Sequence, residues 1–376
     1  MTYFRHHKRD WNDNDCVRNH CGYSRYKCGQ PEETPSNEVL VSFGSEGQPE
    51  HYLYQNEALA DQFGGDVVAL DNTPDNVTGG IFTANDPNVD EQYSSDVAYD
   101  EAYFFSAFGW NIVKNISVAV SGDKSILFTV DNFVHADMDF SQVRNDVELR
   151  ILDAKRSNVV TGCGDDIINI TSASNSDYWS NTHKIETGAG DDIVTIGYGE
   201  EALLHYTPVN FIDGRLTSVE VDLGKGNDTF KALDGVLSED TIFGGKGNDT
   251  ISTGNGDDTI EGGKDKACIF EICDDFYWLL AGGDTLEGGA GADTFIYNTY
   301  EETTRWGKQK DDGFDHILDF SDEDVLVLNL QDGDVVETQE ATVGSFGGFH
   351  NGTMVSINGE AAVFLEDYTN ASEIFV

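Results

Sequence analysis

Between Gly244 and Ile296 a nine-residue pattern of glycines and carboxylates is written four times. The copies are Gly244-Gly245-Lys246-Gly247-Asn248-Asp249-Thr250-Ile251-Ser252 and Thr253-Gly254-Asn255-Gly256-Asp257-Asp258-Thr259-Ile260-Glu261. A third begins at Gly262-Gly263-Lys264, is interrupted, and resumes at Gly282-Gly283-Asp284-Thr285-Leu286-Glu287. The fourth is Gly288-Gly289-Ala290-Gly291-Ala292-Asp293-Thr294-Phe295-Ile296. Residue types at this spacing suit a hard divalent cation, which takes oxygen ligands at short range. Glycines admit positive φ and turn backbone carbonyls inward. The Asp at the sixth position adds a carboxylate, and the apolar eighth residue points from a very short strand into a narrow core. Calcium is therefore the expected ion, with several bound.

More widely spaced copies precede these. Thr161 to Ile168, Thr187 to Val194 and Leu223 to Phe230 keep the core, and a degenerate copy from Gly235 to Phe243 keeps Asp240 and Ile242. The candidate ligand loops thus carry Asp166, Asp192, Asn227, Asp228, Asp240, Asn248, Asp249, Asp257, Asp258, Asp284 and Asp293. Gly245, Gly247, Gly254, Gly256, Gly263, Gly289 and Gly291 bend the backbone around them. A single copy would read equally well as a flexible acidic loop. Eight in one phase, each with an apolar residue two places after its Asp, argue for stacked turns that share ions. No repeat closes a site or buries its apolar residue alone, so folding and metal binding are expected to be coupled.

The elements that position these loops are strands. Residues 151–296 form the repeat region, and 265–281 is an insert placed where a loop tolerates extra length. The insert carries Cys268, Cys273 and the apolar run Phe276 to Leu280, a candidate contact surface or a flap over the solenoid edge. Upstream, residues 38–150 alternate apolar and polar in Val39–Phe43, Val67–Leu70, Ile116–Val120, Ile126–Val130 and Val147–Ile151. That period of two predicts strands of an irregular β domain, or ion-free turns of the same solenoid. The aromatic stretch Tyr99 to Trp110 reads as core before it reads as a ligand groove. Residues 297–376 include Asp315 to Leu328, a segment suited to capping the last turn, since a solenoid must not end on a bare strand edge. The fold class expected is all-β: a calcium-loaded parallel β-roll or β-solenoid, preceded by an irregular β domain and closed by a C-terminal β cap.

Charge agrees with this reading. The 376 residues carry a formal net charge of -47, from 69 acidic and 22 basic side chains. Such a polyanion repels nucleic acid and acidic membranes, and no stretch approaches eighteen apolar residues, which excludes a membrane-spanning helix. Forty glycines and six prolines suit a turn-rich β structure. Basic residues gather instead in a leader, residues 1–37, with Arg5, Lys8, Arg9, Arg18, Arg25 and Lys27 beside Cys16, Cys21 and Cys28. These cysteines, with His6, His7 and His20, match no zinc spacing well, and a disulfide or a mobile leader is the preferred reading. Cys268 and Cys273 suit a local disulfide, while Cys163 reads as a tolerated third-position residue. No apolar segment of a cleaved general signal follows Met1.

Residues from about 158 to 376 resemble the C-terminal portion of repeats-in-toxin (RTX) proteins, in particular the part that follows serralysin-like metalloproteases. The nonads, the Ala292-Asp293-Thr294-Phe295-Ile296-Tyr297 exit, the Asp315 to Leu328 segment and the terminal Glu373-Ile374-Phe375-Val376 carry the resemblance. It implies export by type I secretion machinery, a secreted or cell-surface location, and folding on extracellular calcium.

Catalysis finds little support. None of the nine histidines fits H-E-x-x-H. Gly44-Ser45-Glu46-Gly47 and Gly344-Ser345-Phe346-Gly347 both miss the G-x-S-x-G elbow, so no catalytic residue is assigned. The leading expectation is a non-enzymatic calcium-binding surface, matrix or adhesive component. A polysaccharide-active enzyme with its site in residues 38–150 and a self-assembling filament or layer subunit are the alternatives. Cell-surface polysaccharide and other copies of the chain are the partners they imply.

Overall fold

Short runs with apolar residues at alternate positions give strands that bury one face only when stacked on equivalents of themselves. The computed structural model describes residues 38–45, 48–54, 77–82, 100–106, 115–122 and 125–369. Within the last stretch it omits 132, 155, 173–180, 198–216, 233–238, 265–267, 273–276, 282, 305–306, 312 and 346–347. From Asp100 to Lys264, successive strands alternate between two sheets. The first sheet runs Asn115–Gly122, His135–Val143, Arg156–Val160, Asn181–Glu186, Thr217–Asp222, Thr241–Lys246, Thr259–Lys264 and Thr294–Thr304. The second runs Asp100–Ser106, Ile126–Asp131, Val147–Ala154, Ile167–Ser172, Ile193–Gly197, Thr229–Ala232, Thr250–Ser252, Asp284–Glu287 and Asp315–Ile317. Neighbours within each of these runs are parallel.

The result is the expected all-β parallel roll, with no helix among the described residues. Where neither turn is lengthened, one coil advances 18 residues, as between Asp240 and Asp258. A coil is therefore two nonads, each contributing one turn and one strand. Between the sheets, Ile168, Val194, Phe230, Ile251, Leu286 and Ile317 face Ile185, Val221, Ile242, Ile260 and Phe295, all at most 1% exposed. The apolar residue two places after each repeat Asp is thus the core.

Both ends are closed by antiparallel pairs. Glu38–Ser45, itself paired with Gln48–Tyr54, lies antiparallel to Asn115–Gly122, and Val77–Phe82 lies antiparallel to Asp100–Ser106. At the other end Val325–Asn329 extends the first sheet from Thr294–Thr304. Glu360–Glu366, Gly348–Ile357 and Val336–Ser345 extend the second. The insert forms the hairpin Cys268–Ile272 with Tyr277–Ala281, whose second strand pairs in parallel with Val336–Ser345. It therefore joins the far edge of the cap sheet. The leader, the Val67–Leu70 run and the last seven residues lie outside the described residues, as do the side chains of Tyr99 to Trp110.

Candidate metal centre

Two rows of turns join the sheets, one along each edge of the roll. One edge holds the copies with Asp166, Asp192, Asp228, Asp249 and Asp284. The other holds those with Asp240, Asp258 and Asp293. All eight carboxylates are buried, at 0–1% exposure, because the sixth residue leaves the turn pointing between coils.

Within each row one carboxylate oxygen is tied to the neighbouring coil. The amide N–H of Asp166 donates to Asp192 Oδ1 at 2.8 Å, that of Asp192 to Asp228 Oδ1 at 2.7 Å, and that of Asp228 to Asp249 Oδ1 at 2.8 Å. Asp249 N–H donates to Asp284 Oδ1 at 2.7 Å. On the other edge the amides of Asp240 and Asp258 donate to Oδ1 of Asp258 and Asp293 at 2.8 and 2.9 Å. The ladders fix each side-chain rotamer.

The second oxygen is different. Oδ2 of Asp166, Asp192, Asp228, Asp249 and Asp258 is buried with no hydrogen-bond partner among the described residues. An ionised oxygen held that way is very costly unless a cation shares the space. Burial pushes the Asp166 carboxyl up to about 8, Asp192 to about 7 and Asp293 to about 7. Asp228 rises to about 9, through burial first and then the nearby Asp249 charge. Asp249 and Asp258 move upward for the same leading reason. Without a cation these groups favour protonation, and with one they supply anionic oxygens.

Backbone oxygens converge on the same places. A Cβ at Gly244 would lie 2.6 Å from Asp249 Oδ2 and would also overlap the Gly262 carbonyl oxygen of the next coil. Carboxylate and carbonyl thus meet at a spot that only a glycine leaves open. The other singled-out glycines (Gly245, Gly247, Gly254, Gly256, Gly263, Gly289 and Gly291) all have φ between +90° and +149°. At Gly247 an added Cβ would overlap Gly226 O, so coils stack backbone on backbone. An all-oxygen donor set of this kind fits calcium.

Asn227, Asn248 and Asp257 are placed apart from the buried rows. On one edge Asn227 N–H donates to Asp191 Oδ1 at 2.8 Å and Asn248 N–H to Asn227 Oδ1 at 3.0 Å, and on the other Ala292 N–H donates to Asp257 Oδ1 at 3.0 Å. Their side chains brace the turns from outside.

Sequence reasoning missed three acidic residues of the cap that continue the rows. Asp293 N–H donates to Asp324 Oδ1 at 2.9 Å, and the amides of Gly288 and Gly289 donate to the Asp319 carboxylate at 3.1 and 2.6 Å. Asp315 follows Asp284 in the paired strands. The signal was present, since Asp315 and Asp324 stand two residues before Ile317 and Leu326, both buried. Thr161, Thr187 and Thr253, in place of the first glycine, donate their hydroxyls to Thr187 O, Leu223 O and Gly288 O of the next coil at 2.7, 2.7 and 3.0 Å. Cys163 is disulfide-bonded, with its partner outside the described side chains, and is not a mere filler of the third position.

Residues 234–266 and 274–298 match the family model for the RTX calcium-binding nonapeptide repeat, which comprises four copies. No curated protein matched the chain at a significant level. The match ends at the regular nonads, whereas the aspartate ladder continues through Asp228, Asp192 and Asp166. Among the described residues no helix is long and apolar enough to cross a membrane.

Proposed function

We propose, on the premise that this chain carries RTX calcium-binding nonapeptide repeats, that it is a secreted protein whose roll folds when it meets extracellular calcium. The observation that supports this reading is that Asp166, Asp192, Asp228, Asp249 and Asp258 are buried with Oδ1 held by a neighbouring coil and Oδ2 without a hydrogen-bond partner among the described residues. Asp166, Asp192, Asp228, Asp249 and Asp284 on one edge, and Asp240, Asp258 and Asp293 on the other, would hold the ions with the turn carbonyls. Calcium, when bound, supplies positive charge that offsets the burial of these carboxylates. The chain's own amides orient Oδ1, and its glycines let the coils approach.

Such a chain works as a switch between compartments. Extracellular sites bind calcium with constants on the order of 10⁻⁴–10⁻³ M, far above resting cytosolic levels, so the carboxylates repel and hold the roll open before export. An ion at 100 times its dissociation constant adds about 2.7 kcal/mol per site, and a few sites rival a whole domain's stability of about 5–15 kcal/mol. Export through type I secretion machinery accords with that order of events. With no catalytic constellation assigned, a surface, matrix or adhesive role follows best from an acidic rod stiffened by calcium. Circular dichroism of the full chain tests the switch. Chelation should abolish the β-type signal and calcium should restore it, and an identical spectrum in chelator would defeat the reading.

A further inference from the structure

The turn that opens the longer aspartate row carries a covalent bond that the repeat pattern does not call for. Cys163 is half-buried and disulfide-bonded, three residues before Asp166. A disulfide holds its two Cα atoms about 4.4–6.8 Å apart, so the partner has to reach this turn. The candidates are Cys16, Cys21 and Cys28 in the leader, and Cys268 and Cys273 in the insert.

The insert is too far away. Along this edge Cys163 stacks on Ala189, followed by Lys225, Lys246 and Lys264. The insert therefore begins four coil steps from Cys163, about 19 Å at the usual strand spacing. From there Cys268–Ile272 takes the outermost place in the second sheet, beyond every strand of the cap. Cys273 follows it directly in sequence.

The leader, by contrast, enters the roll at the right edge. Cys163 N–H donates to Val143 O at 3.1 Å, Val143 pairs with Gly122, and Ser121 pairs with Glu38. Glu38 is thus three strand spacings from Cys163, about 14 Å, and its strand starts on the edge where Cys163 lies. Ten residues lead from Cys28 to Glu38, and a flexible chain of that length averages about 17 Å end to end. Cys21 and Cys16 lie seven and twelve residues further back, and closure weakens once a tether outgrows its span. Charge favours the same approach. Asp146, Asp165 and Asp191 are exposed on this edge, tied by Asp165 N–H to Asp146 Oδ1 at 2.9 Å and by Asp191 N–H to Asp165 Oδ1 at 3.0 Å. Arg25 and Lys27 stand beside Cys28 in sequence.

We propose that Cys28 is the partner of Cys163, and that their disulfide straps the basic leader onto the acidic edge where the aspartate row begins. The Cys28 thiolate attacks a small extracellular disulfide such as oxidised glutathione, which forms a mixed disulfide and expels one thiolate. The Cys163 thiolate then attacks the Cys28 sulfur and expels the second. Two protein thiols are oxidised, one small disulfide is reduced to two thiols, and the protein's two thiol protons pass to those products. The strap closes after export, away from the cytosolic thiols that would reduce it, and only that timing rests on the proposed function.

The test is disulfide mapping of the full chain, refolded in calcium with oxidised and reduced glutathione, then alkylated, unfolded and cut with trypsin. Cleavage at Arg18, Arg25 and Lys27 puts the three leader cysteines on separate peptides, while Cys268 and Cys273 share one. Mass spectrometry should find the Cys28 peptide joined to the Cys163 peptide, and reduction should abolish the pair. An alkylated Cys163, or one joined to Cys16, Cys21 or the insert peptide, would overturn the assignment. A chain that folds on calcium without the joined pair defeats the strap alone. The joined pair in a chain whose spectrum ignores calcium defeats only the folding reading.

Discussion

Replacing Gly247 by Ala probes whether coils are stacked as tightly as the carbonyl positions demand. Gly247 has φ +135°, and an added Cβ would sit against Gly226 O at less than half of the ~3.5 Å of an ordinary contact. Both partners are backbone, so neither can rotate away, and the two coils must separate. The separation breaks Gly226 N–H to Lys246 O at 2.8 Å and Lys246 N–H to Gly224 O at 2.9 Å. Each such bond is worth about 1 kcal/mol net, and a positive φ with a side chain costs about 1–2 kcal/mol. The total is roughly 3–4 kcal/mol, or on the order of 4–5 °C in melting temperature for a chain of 376 residues. Gly359→Ala is the control: φ is +81°, and no described atom lies within 4 Å of its added Cβ, so only about 1–2 kcal/mol is lost. Thermal unfolding of both variants in saturating calcium reads the difference. Equal shifts for the two would refute the stacking argument.

Asp228→Asn keeps the acceptor for Asp192 N–H but removes a buried charge. It should raise the calcium needed for folding, yet stabilise the roll in chelator by up to about 4 kcal/mol at pH 7. That figure is the proton uptake avoided when a carboxyl near 4 unfolded is pushed up to about 9 folded. A destabilisation of equal size in calcium and in chelator would refute it. His183 is fully buried, its Nδ1 is 2.8 Å from Ser157 Oγ, and burial lowers its pKa to about 4. The sign follows from a folded pKa below the unfolded 6.5: the contribution is complete above pH 6.5 and is lost as pH falls toward 4, by about 3 kcal/mol. Urea unfolding of His183→Gln should therefore be less pH-dependent than wild type over that window, and parallel profiles would count against it. In limiting calcium, hydrogen exchange should slow first within residues 240–324, where both edges carry aspartates. Earlier protection of residues 115–154 would contradict this.

The repeats were legible because their two signals are local. A glycine turn and an apolar residue two places after an aspartate predicted both the bend and the buried column, and Ile168, Val194, Phe230, Ile251, Ile260, Leu286 and Phe295 are all at most 1% exposed. The alternating runs Ile116–Val120, Ile126–Val130 and Val147–Ile151 likewise read as strands. Which strands pair could not be read, because register is set by neighbours one coil away in sequence. The half-roles of the aspartates were hidden for the same reason: Oδ1 is engaged by an amide 18 to 36 residues distant. The contact of His316 and His350 with Glu366 was hidden likewise, because only the pairing of three strands brings these side chains together.

The uneven spacing of the early copies follows from the coil having two edges that need not evolve alike. On the edge of Asp166, Asp192, Asp228 and Asp249 every turn keeps its aspartate, and the ladder steps are 26, 36 and 21 residues. The excess over 18 falls entirely on the opposite connections, between Ser172 and Asn181, Gly197 and Thr217, and Ala232 and Thr241. Lengthening a turn on one edge leaves the strand register and the opposite ladder untouched, because each nonad carries its own turn and its own core residue. The insert at 265–281 does the same thing on the first edge, where the Asp249 to Asp284 step is 35 residues and the ladder bond survives at 2.7 Å. A roll whose coils are held by backbone contact and inward carboxylates can therefore accept new segments at any turn, provided the aspartate and the residue two places after it return in phase.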